Sequence, residues 1–197
     1  MRTLILLICA ALGLAALFWD GPEKRTPPGI LVPEEPEQAN IERATAWPYK
    51  GAKVTPLAEF RMRGRVLLTN HYYMGKEATV SPVDLTLGWR LMSNQEVLDQ
   101  LRLEKLPRAY SWSWRNNKFP ARVADIVEHS ANMHMVPATD EIAKRLESIV
   151  QANVVSLRGY LVQINFSDGG VWRSSLTRKD SGNGACELVW VEDLKVQ

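Results

Sequence analysis

Leu4 to Trp19, LILLICAALGLAALFW, is an unbroken run of apolar residues and glycine, and the prolines and charges that follow cannot continue it. No stripe of polar residues interrupts the run, so it does not read as one side of a soluble helix. Arg2 and the amino terminus precede it, the order of an export signal. The run is somewhat shorter than the roughly 20 residues that cross a bilayer comfortably. It ends on Leu17, Phe18, Trp19 and Asp20, where cleavage needs small residues, and Cys9 lacks the small neighbour of a lipoprotein site. The expectation is an uncleaved signal-anchor over residues 1–19, with a cleaved export signal as the alternative. Phe18 and Trp19 then sit at the interface, and Arg2 keeps the N-terminus cytoplasmic. This topology places the chain in the inner membrane as a single-pass protein with a soluble domain in the periplasm.

Residues 20–45 contain five prolines and many charges. Such a segment buries too little apolar surface to offset its ordering entropy, and its prolines favour extended stretches. It reads as a solvated stalk. Residues 46–197 remain for one soluble domain, long enough to bury about two-thirds of its unfolded surface without a disulfide or metal. The formal net charge is +2 and the basic residues are scattered, which argues against a nucleic-acid partner.

Within the domain, Phe60 to Leu68 alternates apolar and polar residues and predicts a half-buried strand. Ser93 and Glu96 have capping-box spacing ahead of Val97, Leu98 and Leu101, predicting a short helix. Tyr110 to Trp114 alternates again. Asp125 to Glu128 fits one helical turn. Thr139 or Asp140 caps a helix with Ile142, Leu146, Ile149 and Val150 on one face. Val154 to Phe166 reads as a long strand whose Gly159 marks a bulge or bend. Asp168–Gly169–Gly170 is a hairpin turn, and Cys186 to Val191 a last strand. The fold class expected is α+β: a small, partly closed antiparallel β-barrel-like domain with two or three short helices, preceded by one N-terminal hydrophobic helix.

Several segments carry a resemblance: SPVDLTLGW (81–89), MSN (92–94), HSANMHMVPA (129–138), VVSLRGYLV (154–162) and WRSSLTRKDSGNGACELVWV (172–191). Over about residues 54 to 193 the chain resembles a family of bacterial membrane-associated proteins. That resemblance implies a membrane location and assigns no activity or catalytic residue.

Three clusters are candidates for chemistry. The first is His129, Asn132, Met133, His134 and Met135. Imidazole and thioether suit copper, and His129, Met133 and His134 form the alternative metal set, with His71 as a further ligand. Against it, five-residue spacing does not place both histidines on one helix face, and the methionines suit a core. The second is Cys186 with one of those histidines, a thiol–imidazole pair beside the glycine-bearing loop Gly182–Gly184. Its competing reading is a buried, inert thiol. The third is the polar patch Ser174, Ser175, Thr177, Arg178 and Asp180, which either holds an anion or is a loop held by its own hydrogen bonds. Asp84, after Ser81–Pro82, reads as a turn organiser. No phosphate loop, dinucleotide motif, zinc spacing or nucleophile elbow occurs.

Two functions follow. The first is an envelope-facing, membrane-anchored binding or accessory module without catalysis or cofactor, taking a protein partner or small ligand through a cleft lined by Trp89, Trp112, Trp114 and Trp172. The alternative is a copper-handling protein, or a hydrolase or transferase, using His129 and His134 with the Cys186 loop.

Overall fold

The structure is a computed structural model that describes residues 25–116, 121–180, 182 and 184–197. The hydrophobic helix expected over residues 4–19 lies outside the described residues. Among these, no helix is long and apolar enough to cross a membrane.

The chain is mostly β-sheet with a few short helices, in keeping with an α+β class. The strands are β1 (Glu37–Asn40), β2 (Trp47–Tyr49), β3 (Ala52–His71), β4 (Val83–Gly88), β5 (Leu101–Leu106), β6 (Ala109–Trp114), β7 (Ser130–Pro137), β8 (Val154–Phe166), β9 (Val171–Arg173) and β10 (Glu187–Val196). The helices are α1 (Lys76–Val80), α2 (Gln95–Leu98), α3 (Val123–Glu128) and α4 (Asp140–Glu147), with a 3₁₀ turn at Arg90–Ser93.

β3 has the alternation expected of Phe60–Leu68 but extends it in both directions. Its first part, Ala52–Arg65, pairs with β8, and its last part, Arg65–His71, pairs with β4. Register shifts at Pro56/Ala58 and Val66/Leu68 bend it between those partners. β4 also pairs with β7, β7 with β10, and β10 with β8. These pairings are antiparallel except for β7–β10, which is parallel and departs from the all-antiparallel expectation. Parallel neighbours need a crossover, and the long connection through α4, β8 and β9 supplies it. β1 and β2 add to the edge of β3, β9 adds to β8, and β5–β6 form a separate hairpin.

Alternate residues of β3, β4, β7, β8 and β10 send Phe60, Leu85, Met133, Leu157 and Val189 into one core, with Trp89, Leu146 and Ile149. Gly159 is required where β8 crosses β10: a Cβ there would lie 1.8 Å from the Trp190 carbonyl oxygen. The β10–β8 register slips beside it, between Val191 and Asp193. Thr139 caps α4, its hydroxyl accepting from the Ile142 N–H at 3.2 Å. The cap of α2 is Asn94, whose side chain accepts from the Glu96 N–H. Ser93 instead closes the 3₁₀ turn by donating to the Arg90 carbonyl at 2.7 Å.

The expected stalk is corrected over its described part. Val32 is fully buried in the core. The Val32 N–H donates to Ser93 Oγ at 3.0 Å, and the Arg90 N–H to the Val32 carbonyl at 2.6 Å. The Trp89 indole donates to Glu35 at 2.9 Å, and β1 pairs with β3 from Glu37 to Asn40. The apolar triplet Ile30–Leu31–Val32 is what a solvated spacer would lack.

Candidate functional site

Strand alternation that buries Leu85 and Leu87 of β4, and Ala131, Met133 and Met135 of β7, turns their neighbours to the opposite face. That face carries Asp84, Thr86, Ser130, Asn132 and His134, all buried despite their polarity. Part of their cover is the β5–β6 hairpin. Its turn places Arg108 at φ 56 and aims the guanidinium back at β4. Arg108 Nη1 donates to Asp84 Oδ1 at 2.7 Å and Nη2 to the Ser81 carbonyl at 3.0 Å. The guanidinium carbon lies 3.7 Å from the Tyr72 ring centroid and 5.2 Å from that of Trp172. The Arg108 N–H donates to the Tyr72 hydroxyl at 2.9 Å. Further along the hairpin, Tyr110 and Ser130 hydroxyls bond at 2.8 Å, and Ser130 donates to the Ile126 carbonyl. Asp84 is thus not a turn residue. It is a wholly buried carboxylate that fastens the hairpin to the sheet.

Asn132 continues the network. It donates weakly to Asp84 Oδ2 at 3.4 Å and accepts from Thr86 at 3.3 Å. The same amide nitrogen lies 3.9 Å from Cys186 Sγ, whose thiol points at the Arg108 carbonyl at 3.5 Å. His134 Nδ1 lies 3.0 Å from Asp84 Oδ1 but off the line of a hydrogen bond, and its ring packs on Trp172 with centroids 4.7 Å apart.

A cavity of about 320 Å³ opens where the hairpin, the start of β7 and the loop before β10 meet. Leu106, Tyr110 and Trp112 form the hairpin wall, Ser130 and Asn132 the β7 wall, and Arg178, Asp180, Cys186 and Glu187 the loop wall. Arg178 Nε lies 2.7 Å from Glu187 Oε1, with Glu187 1% exposed. The contact is an ion pair without hydrogen-bond alignment, and neither Glu187 oxygen has a hydrogen-bond partner. Burial pushes the Glu187 carboxyl up to about 8, against the pull of Arg178 in the other direction. Burial likewise pushes the Cys186 thiol up to about 11, reinforced by the charges of Glu187, Asp84 and Asp180 and opposed by Asn132. Burial also raises the Tyr110 phenol, with Ser130 opposing.

Of the residues singled out in the sequence, Asn132, Arg178, Asp180 and Cys186 line this one cavity. Ser174 is buried against β10, accepting from the Leu188 N–H and donating to the Ser175 carbonyl. Arg178 and Asp180 do not pair. Asp180 accepts from Ser175 at 2.7 Å, and Arg178 turns to Glu187 and Gln38. His129 ends α3, 3.8 Å from Glu35, away from His134. Met133 and Met135 point into the core while His134 points out of it, because HSANMHM is mostly strand β7 and not a loop. His129, Met133 and His134 therefore do not converge on one metal position. Among the described residues no group of three or more His, Cys, Asp or Glu could hold a metal ion. The four-tryptophan cleft is not assembled either. Trp89 is fully buried in the core, Trp172 packs at a tilt against His134, and Trp112 alone of the four lines the cavity, with Trp114 packed edge-on against it.

Sequence reasoning missed Arg108, Tyr110 and Glu187. Glu187 did carry a signal, as a lone acid opening the apolar strand ELVWV. Arg108 carried little, because its role depends on a turn after a strand, β5, whose residues beyond Leu101 show no clear period. No family model, no curated protein and no solved structure matches this chain.

Proposed function

We propose that this chain is an envelope-facing, membrane-anchored binding module that acts without catalysis and takes its ligand in the cavity between the β5–β6 hairpin and the loop before β10. The observation that carries this is the cavity itself: concave, part apolar, and lined by a few polar groups that converge on it, as small-molecule sites are. Arg178, Asp180 and Glu187 put cationic and acidic groups side by side on the loop wall. Tyr110 and Trp112 give an apolar wall, and Asn132 and Ser130 a polar one. The ligand that suits these surfaces is small and partly apolar, with polar groups for Asn132, Ser130 and the loop wall.

The fold is proposed as a partly closed five-stranded barrel, since the pairings β3–β4–β7–β10–β8 return to β3. That order, with one parallel pair and α4 in the crossover, is the connectivity of small Greek-key barrels that bind oligomers over their second and third strands. Here those are β4 and β7, and the hairpin covers part of them. This argument is analogy from fold and ranks below the cavity.

A thiol at about 11 is almost wholly protonated at neutral pH, which favours binding over nucleophilic chemistry at Cys186. Native mass spectrometry of the full chain extracted from membranes tests the reading. A small molecule is expected on the wild type and absent from Asn132→Leu and Trp112→Ala variants of unchanged circular dichroism. Adducts retained by both variants would overturn the cavity assignment. Stoichiometric copper, lost in His134→Ala, would establish the metal-handling alternative instead.

A further inference from the structure

We infer that the α2 end of the domain is held against the lipid surface by a tether too short to raise it. This rests on the reading of residues 4–19 as a membrane anchor and goes beyond it by naming the surface that faces the bilayer. Were residues 20–45 a free stalk, they could extend to about 90 Å. The fold removes most of that length. Arg25 forms an ion pair with Asp99, the Thr26 N–H donates to Gln95 Oε1 at 3.0 Å, and the Gly29 N–H donates to Asn94 Oδ1 at 3.1 Å. The chain is therefore fastened to α2 and its N-terminal turn from residue 25 onward.

Only residues 20–24 separate Trp19 from that attachment, and fully extended they reach about 20 Å. Roughly 6 Å of this lies within the headgroup layer. A domain of this size is about 40 Å across. The remaining reach of about 14 Å is well short of the body it holds, so the face carrying Arg25, Glu96 and Asp99 stays within that distance of the interface. The opposite end, where β3 turns into α1, stands away from it. Met74 is 91% exposed there, and β4 runs from that end back towards the 3₁₀ turn and α2. Those six strand residues alone span roughly 20 Å.

The test uses the full chain in phosphatidylethanolamine–phosphatidylglycerol vesicles containing headgroup nitroxide lipid. A fluorophore is attached at Glu96→Cys or at Met74→Cys, each in a Cys9→Ala, Cys186→Ala background. Quenching at residue 96 is expected to exceed that at residue 74 at least threefold. Inserting twenty Gly/Ser residues after Asp20 is expected to abolish the difference while the protein stays with the vesicles. Equal, weak quenching at both positions of a vesicle-bound chain would overturn the inference, as would a difference that survives the insertion. Protein left in the supernatant would instead defeat the anchor reading on which it rests.

Discussion

At Glu187 burial and charge oppose each other. Its carboxyl is 1% exposed, ion-paired to Arg178, and still raised from 4.5 to about 8. A group whose folded pKa lies above its unfolded value binds its proton more tightly in the native state. Its contribution to stability is complete below about pH 4.5 and is lost as pH rises towards about 8. Across that window the loss is at most about 1.4 kcal/mol per pH unit. Glu187→Gln keeps the shape, removes the titration and should flatten the profile. Urea midpoints from pH 5 to 8 test this, and a wild type whose midpoint rises across the range contradicts it. The neighbouring Cys186 gives a second expectation. With its thiol near 11 and partly buried, it should react with iodoacetamide at pH 8 at least tenfold more slowly in the native protein than in urea. Equal rates would mean an open, activated thiol and would revive the covalent reading of the loop.

At the scale of elements, the β5–β6 hairpin decides what the site can be. Beyond its own ladder, its attachments include Arg108 to Asp84 and Ser81, the Arg108 N–H to Tyr72, Tyr110 to Ser130, and the Asn70 amide to the Leu106 carbonyl. Arg108→Ala leaves Asp84 buried without its cation, which should cost about 3–5 kcal/mol. Adding Asp84→Asn should recover part of that loss, because the orphaned charge is then gone. Chemical denaturation of the two variants measures both. A double variant no more stable than Arg108→Ala would show that the pair is not coupled. The element scale also separates what the residues disclosed from what they concealed. β3, β6, α4 and β8 show their period plainly because one face of each meets water or a single core. β7 has the same alternation in Ser130, Asn132, His134 against Ala131, Met133, Met135. It was read as a ligand cluster because its polar face is covered by other elements, and nothing local says so. β5 is hidden for a related reason: its partner is the strand beyond a two-residue turn, and its first residue, Leu101, also fits the apolar face of the short helix before it. The parallel β7–β10 pair depends wholly on long-range topology. Of the site, Asn132, Arg178, Asp180 and Cys186 were legible as chemistry, but their convergence needed the loop before β10 to fold back on β7.

On the scale of the whole molecule, residues 25–45 belong to the folded body. Five prolines and a string of charges suggest a spacer, yet Ile30–Leu31–Val32 gives it one apolar anchor point. A fragment of residues 46–197, the natural cut from composition, removes Val32 from the core, β1 from the edge of β3, and Glu35 from the Trp89 indole. Withdrawing a buried valine costs about 1.5–3 kcal/mol. Orphaning a buried indole N–H costs about 1–3 kcal/mol. Together these are a large share of the roughly 5–15 kcal/mol that holds a domain folded. For a chain of this length each kcal/mol moves the midpoint by about 2–4 °C. The 46–197 fragment should therefore melt at least about 5 °C below a 25–197 fragment, and Val32→Ala in the longer fragment should account for part of that difference. Differential scanning fluorimetry of the three proteins is sufficient. If the short and long fragments melt together, residues 25–45 add nothing to the core and are a stalk after all.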